Sequence, residues 1–581
     1  MLALQGSVEV NSVPSSPAVE AADSAVVDPA HLGDIHGAWG RLPVREWAPR
    51  RSRRARLTAL AVVCGPGLVA MMADNDAGSV ATFAQAGQDH GTRLLWMLLL
   101  LLPVLLVNQE MAARLGAVSG VGHARLILAR FGRLWSALTL GDLMLLCGLT
   151  LVTEFLGVHL AAGVLGVPAL PAVVVCALAL LVATLTGSFR RWERAMYVLV
   201  AVDLALVPLA ILGRAGGHIA ARDLVVPGIG GVDTNPVVLL LALAGTTVTS
   251  WQIFFQQSSV VDKRITPRWL AYERIETVAG AALMAVGAAV VMIVTAAAFA
   301  GTAMAGHFTD AGAAAVGVGA RLGAAARVLF AVVLLDGALL GAMAVTLAAS
   351  YACSEVTGAR HSLHRDPRGA PFFYGVIAVM IVVAAVVAVI PGLAPGMLTV
   401  MVQALAGLLL PSATVFLLLL SNDTQVLGPW VNPPWLNWVA ATVVAALLLL
   451  SMLLVATSLL PGVALLPLSL VLGAVAAAGL LATGALTGWG RRSWARAEYL
   501  DTLRPVVRVL GAGDVLVLPR RSSPPSRLAE RRRAWRTPPL EELARPAMSR
   551  GRMFAMLALR VYLGGAALVL GLRGVLLVLG R

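Results

Sequence analysis

The chain has 581 residues, 59% of them hydrophobic and only 13% charged, with a mean hydropathy of +0.85. That composition excludes a water-soluble globule, and its many apolar runs near the roughly 20 residues a helix needs to cross a bilayer make it a polytopic membrane protein. The formal charge of +14 is almost all arginine, with Lys263 the single lysine; because the arginines fall in loops and tails, the charge reads as a loop bias and not as a nucleic-acid surface.

In chain order, residues 1–56 contain Ser, Pro and Asp, lack the apolar core of a signal peptide, and are expected to be a disordered cytoplasmic tail. Twelve spans are expected at roughly 58–86, 94–113, 135–162, 169–187, 195–213, 236–262, 275–300, 326–354, 372–391, 396–420, 435–458 and 463–486. Arginines cluster before the first span (Arg50, Arg51, Arg53, Arg54, Arg56) and after the second, fourth, sixth, eighth and twelfth. The alternate loops carry far fewer, chiefly Arg214, Arg222 and Arg321, so both ends are expected in the cytoplasm and the chain in the plasma membrane. Residues 57–425 form the core, 426–487 hold the last two spans, and 488–552 are a basic cytoplasmic tail. The apolar 553–581, interrupted by Arg560 and Arg573, is expected to be an interfacial or additional membrane helix. Cys64, Cys147, Cys176 and Cys353 lie in apolar segments without Cys-x-x-Cys spacing and read as small buried hydrophobes.

Two spans are interrupted. Residues 73–79, Ala-Asp-Asn-Asp-Ala-Gly-Ser, put two carboxylates and an amide at bilayer depth, where ionisable groups mark functional sites. Five spans later, residues 246–252, Thr-Thr-Val-Thr-Ser-Trp-Gln, break a second apolar run. Paired breaks at corresponding positions of two halves point to an inverted-repeat transporter, with spans one to five and six to ten as the repeats. Both breaks free backbone carbonyls that can coordinate a cation.

At these residues the chain resembles the NRAMP family of divalent metal-ion transporters, over roughly residues 57–425. Gly65-Pro66-Gly67 followed by Asp74-Asn75-Asp76-Ala77-Gly78-Ser79-Val80-Ala81-Thr82 is similar to the family's Gly-Pro-Gly … Asp-Pro-Gly-Asn-Ile-Ala-Thr segment. Ala112-Ala113-Arg114-Leu115-Gly116, the loop Gly187–Arg194, and Gln403 with Pro411 continue the likeness. The resemblance implies an all-α membrane fold of the LeuT-type inverted repeat, five plus five spans with two appended, and transport of transition-metal ions, often with protons. It implies that Asp76 is the metal-binding aspartate, that the Ala73 and Thr246 carbonyls are backbone ligands, that Gln403 helps complete the shell, and that Glu154 is the third-span acid of proton movement. Four positions depart from the pattern: Ser79 stands for the family asparagine, Thr249 for its methionine, Trp251 for its histidine and Leu151 for a third-span aspartate.

Asp76, Asp74, Ser79, Thr249, Gln403 and carbonyls make an oxygen-only donor set, which suits Mn²⁺ or Mg²⁺ and leaves Fe²⁺ as a third candidate. Asp74 is either a second ligand or the cap of the helix break. Besides Glu154, the intramembrane acids are Asp203 and Asp336; His159, five residues after Glu154, meets it only obliquely and is either a replacement for the missing histidine or a structural one. The function expected is a secondary transporter working by alternating access; the alternatives are an organic-solute or amino-acid carrier on the same fold, or a membrane metal sensor. With no nucleophile–base pair and no P-loop, neither an enzyme nor an ATP-driven pump is expected. No cofactor is expected; the partners are the metal substrate and the bilayer, and a monomer suffices.

Overall fold

The computed structural model describes residues 25–43, 52–213, 221–228 and 236–459, with shorter stretches beyond that include 506–510, 514–518, 535–544 and 556–562. The first span comprises three helices: α1 (Arg53–Val63), α2 (Pro66–Met72) and α3 (Ala77–His90). α1 and α2 meet at 56°. The bend falls at Cys64-Gly65, where Pro66 opens a new helix with its fixed φ and a Cβ on Gly65 would collide with Glu193 Oε1. α3 follows after the polar break.

Spans two to five are α4 (Leu95–Ser119), α6 (Arg133–Val164), α7 (Ala169–Thr184), and the pair α8 (Phe189–Val202) and α9 (Leu206–Gly213), with a short α5 (His123–Phe131) between α4 and α6. A 3-10 turn, Asp203–Ala205, joins α8 to α9. The second repeat starts with α10 (Pro236–Thr247) and α11 (Ser250–Asp262), broken only at Val248-Thr249. It continues through α12 (Leu270–Phe299), α13 (Ala311–Leu322), α14 (Ala324–Thr357), α15 (Pro371–Ala388) and α16 (Pro395–Ser421). A single turn, α17 (Thr424–Leu427), leads to the eleventh span, α18 (Pro434–Leu459). The twelfth, expected at 463–486, lies largely outside the described residues. Among the described residues nine helices are long and apolar enough to cross a membrane, ten with α1–α2. α13 was not foreseen; Asp310 caps it, accepting from Ala313 N–H at 2.8 Å.

The tail expected to be disordered is not so over residues 25–43. Ile35–Gly37 (β1) and Gly40–Leu42 (β2) form an antiparallel hairpin with Gly37 opposite Gly40. Ile35 and Leu42, each 2% exposed, pack on Ala59, Val62 and Val63 of α1 and on Val260 and Ile265. Burial of that kind contributes about 1.5–3 kcal/mol per side chain. Gly37 is required because a Cβ there would strike the Val62 carbonyl. At the turn, Glu193 accepts from Ala38 N–H, and Arg194 donates to Ala38 O at 3.1 Å. Asp28 is paired with Arg365 at 2.5 Å. The basic stretch after 488 is also partly docked: Thr537 donates to Val426 O at 2.9 Å and its carbonyl accepts from Ala25 N–H at 3.3 Å. Further on, Arg560 is paired with Asp142 on α6 and lies over the Phe416 ring.

Candidate metal-ion site

The two breaks face each other. α2 stops as Ala73 N–H reaches Val69 O at 2.9 Å. Ala77 N–H, which a continuous helix would direct to Ala73 O, donates instead to Glu154 Oε2 at 3.0 Å, leaving the Ala73 carbonyl outside the helical ladder. Asp76 caps α3, its Oδ1 accepting from Ser79 N–H at 2.7 Å. On the other side α10 ends at Thr247, and Thr249 N–H donates to Gln252 Oε1 at 3.0 Å. Gln252 Nε2 then donates to Ala70 O at 3.1 Å and ties one break to the other.

Ser79 Oγ lies 3.5 Å from Thr246 O and accepts from Thr246 Oγ1 at 3.1 Å. From α16, Gln403 Nε2 approaches Asp76 Oδ1 to 3.5 Å, too long for a strong bond; a half-turn of the amide would present its oxygen instead. α14 closes the back: a Cβ on Gly341 would stand 2.6 Å from the Asp76 Cβ and 3.1 Å from the Glu154 carboxyl. Asp74, Asp76, Ser79, Thr246, Thr249, Gln403 and Glu154 are all at most 2% exposed, so the site is shut to both faces.

The predicted residues divide. Asp76, Ser79, Thr246 and Gln403 are brought into contact, with Glu154 one hydrogen bond away through Ala77 N–H. The capping alternative for Asp74 is corrected: Asp76 holds that place, and both Asp74 carboxylate oxygens are buried without a hydrogen-bond partner. Thr249 Oγ1 is likewise orphaned. His159 Nδ1 has no partner and makes no bond to Glu154, so the two do not form a relay here. Asp203 and Asp336 face each other where the 3-10 turn meets α14. Trp251 and Leu151 are fully buried, the Trp251 indole N–H without a partner.

The placement of two residues escaped the sequence reading. Asn75, the amide already noted at bilayer depth but given no role, is 4% exposed with both amide atoms unpartnered and points toward Gly287 of α12. Lys263, fully buried, donates to Glu193 Oε1 and to Cys64 O, locking the end of α11 to the α1–α2 bend and to α8; being the single lysine was its signal.

Among the described residues no three His, Cys, Asp or Glu side chains cluster in a metal-holding group. Ligation at the breaks would therefore rest on one or two carboxylates with carbonyl, hydroxyl and amide oxygens. Such donors take hard cations.

Residues 67–457 match the family model described as natural resistance-associated macrophage protein-like. The divalent metal cation transporter MntH of Burkholderia ambifaria is 30% identical over 227 residues, 38% of this chain and 50% of that protein. MntH 1 of Pseudomonas aeruginosa is 30% identical over 261 residues, 42% of this chain and 58% of its own. The chain thus spans about half the length of the curated relatives it matches. The crystal structure of the Eremococcus coleocola manganese transporter with an aromatic bis-isothiourea compound superposes with a TM-score of 0.55 at 20% identity, covering 77% of this chain and 97% of that one. At that identity the likeness is one of fold.

Proposed function

The chain belongs to the natural resistance-associated macrophage protein-like family, and on that premise we propose that it is a secondary transporter carrying a divalent metal cation across the plasma membrane by alternating access. One observation carries this reading. Asp76 is 1% exposed, no Lys, Arg or His pairs with it among the described residues, and against it lie the Gln403 amide and Ser79, which in turn touches Thr246 of the second broken helix. A buried carboxylate without a counter-charge costs several kcal/mol; a divalent cation supplies that charge. Ligands would be the Asp76 carboxylate, the carbonyls of Ala73 and Thr246, the hydroxyls of Ser79 and Thr249 and the Gln403 amide oxygen, with the orphaned Asp74 as a second anion.

This donor set favours Mn²⁺ or Mg²⁺, with Fe²⁺ third. The manganese and divalent-metal names of the relatives support the class of ion. Arginine placement supports an N-terminus in the cytoplasm. In the mechanism, the first and sixth spans rock against α6, α7, α14 and α15, so that the ion at the breaks is offered to one face and then to the other.

The test is uptake by the purified protein in sealed liposomes across Mn²⁺, Mg²⁺, Fe²⁺, Ca²⁺ and Cd²⁺. Mn²⁺ or Mg²⁺ should accumulate, and Asp76→Ala should insert normally yet carry nothing. Wild-type uptake by Asp76→Ala would remove the site, and binding without flux would make the chain a sensor.

A further inference from the structure

Between the β1–β2 hairpin and the start of α8 lies a cleft of about 580 Å³. Three guanidiniums line it: Arg41 from the hairpin, Arg190 from α8 and Arg264 from the turn after α11. Two carboxylates bear on them, Asp34 beside Arg41 and the buried Asp262 behind Arg264. Arg41 Nε donates to Asp34 Oδ2 at 2.5 Å, whereas Arg264 reaches only main-chain oxygens, Ala30 O at 2.9 Å and Asp34 O at 3.0 Å. Arg190 has no hydrogen-bond or ion-pair partner among the described residues. Burial, and then the charges of Arg264, Arg41 and Arg190, hold the His36 imidazole below its ordinary pKa, so the cleft's positive charge belongs to the arginines.

Two further observations fall at the same place. Ser188 precedes α8 without capping it, which leaves the first N–H groups of a 14-residue helix open at the cleft wall. Arg264 has φ +66°, the single non-glycine residue with positive φ among those described. Conformations of that kind cost about 1–3 kcal/mol and persist where the surroundings impose them.

We propose that this cleft binds a phosphate-bearing anion, which bridges Arg41 of the hairpin to Arg190 and Arg264 of the body and so holds the hairpin on α1. The donor geometry selects the chemistry: three guanidiniums and the uncapped start of α8 converge on one cleft that stays net positive once Asp34 and Asp262 are counted, and that many N–H donors suit the several oxygens of a phosphate. Guanidinium forks match phosphate oxygens bidentately. The phosphate is either a soluble one or the headgroup of an anionic lipid, because the helices flanking the cleft expose apolar side chains, Val182 and Val198 being 69% and 64% exposed.

Full-length protein in nanodiscs separates the sources. One arm uses neutral phosphatidylcholine discs titrated with tripolyphosphate. The other uses discs containing phosphatidate and no soluble anion. The readout is amide hydrogen exchange of residues 35–42. Slowing of exchange by roughly tenfold or more in either arm, lost in Arg190→Gln and Arg41→Gln, supports the site and names its source; tenfold is the scale of one charge-assisted bond. Arg190→Gln is the cleaner variant, since it breaks no contact within the chain. No slowing in either arm, or slowing that Arg190→Gln retains, overturns the proposal. Asp76→Ala should leave the effect intact, which keeps failure here distinct from failure of the transport reading.

Discussion

Asp76 does two jobs that chemistry can separate. Its Oδ1 caps α3 through Ser79 N–H, and its charge is what a cation would meet. Asparagine caps a helix about as well as aspartate, so Asp76→Asn should keep the helix start and the thermal midpoint while abolishing metal uptake. Normal transport by that variant would confine Asp76 to capping. Thr249 makes the complementary case. Its Oγ1 is buried without a partner at the second break, where the family has a methionine. A thioether there adds a soft ligand. Thr249→Met should therefore strengthen Cd²⁺ competition against Mn²⁺ by roughly tenfold, the equivalent of about 1.4 kcal/mol. Competition assays that move neither ion would show that Thr249 faces away. Both residues were legible in the sequence because polar atoms at bilayer depth stand out against an apolar background. The cap was not: Asp74 and Asp76 are equally placed by composition, and only the backbone path after Ala73 decides which of them turns back to Ser79.

The hairpin is the element the sequence hid. The apolar residues of 25–43 are scattered among Gly, Asp and Pro without a helix or strand period, and their order comes from partners far along the chain: Glu193, Arg264, His361 and Arg365. It also carries a pH dependence. His31 Nε2 donates to His361 O at 3.0 Å with Asp262 Oδ1 at 3.6 Å, and burial above all drives its pKa down from 6.5 to about 4. The docked hairpin thus binds fewer protons than the free one. Docking is unpenalised above pH 6.5 and weakens as pH falls toward 4, by about 2 kcal/mol at pH 5. Asp28 acts later: burial would raise its pKa, but Arg365 and Ala30 N–H outweigh that and hold it at about 2, so its share is lost only below pH 4. Protection of residues 31–42 against hydrogen exchange, after correction for the intrinsic pH dependence of amide exchange, should fall between pH 6.5 and 4.5, and His31→Gln should flatten that fall; a pH-independent protection factor in the wild type would contradict the assignment. The Lys263–Glu193 pair beneath the hairpin is a stiffer tie. Removing one partner of a buried pair strands the other, so Lys263→Met should cost about 3–5 kcal/mol of stability, read by thermal unfolding in detergent.

At the scale of the whole molecule, the inverted repeat followed from two polar interruptions five spans apart and its LeuT type from the family resemblance, and both interruptions fall where the helices break. The sequence did not show that the first span bends twice or that the second break shrinks to two residues. Helix ends are set by which backbone groups find partners, here Glu154 for Ala77 N–H and Gln252 for Thr249 N–H, and those pairings cross between elements. The same wiring bears on energy coupling. A group titrating near neutral pH is missing where the family histidine stands, since Trp251 cannot ionise and Leu151 cannot replace an acid. Glu154 remains beside Asp76, but its Oε2 is engaged by Ala77 N–H and His159 makes no bond to it, so among the described residues these two form no hydrogen-bonded relay from the site. Metal flux should accordingly carry no measurable proton current; if protons do move, Glu154 and His159 are their route. Simultaneous recording of metal uptake and internal pH in sealed vesicles decides this. Constant internal pH during uptake is the expected result, and acidification abolished by Glu154→Gln would assign the alternative route. Acidification that tracks metal entry and survives Glu154→Gln would contradict both, and would move the search for a proton carrier to the facing pair Asp203 and Asp336.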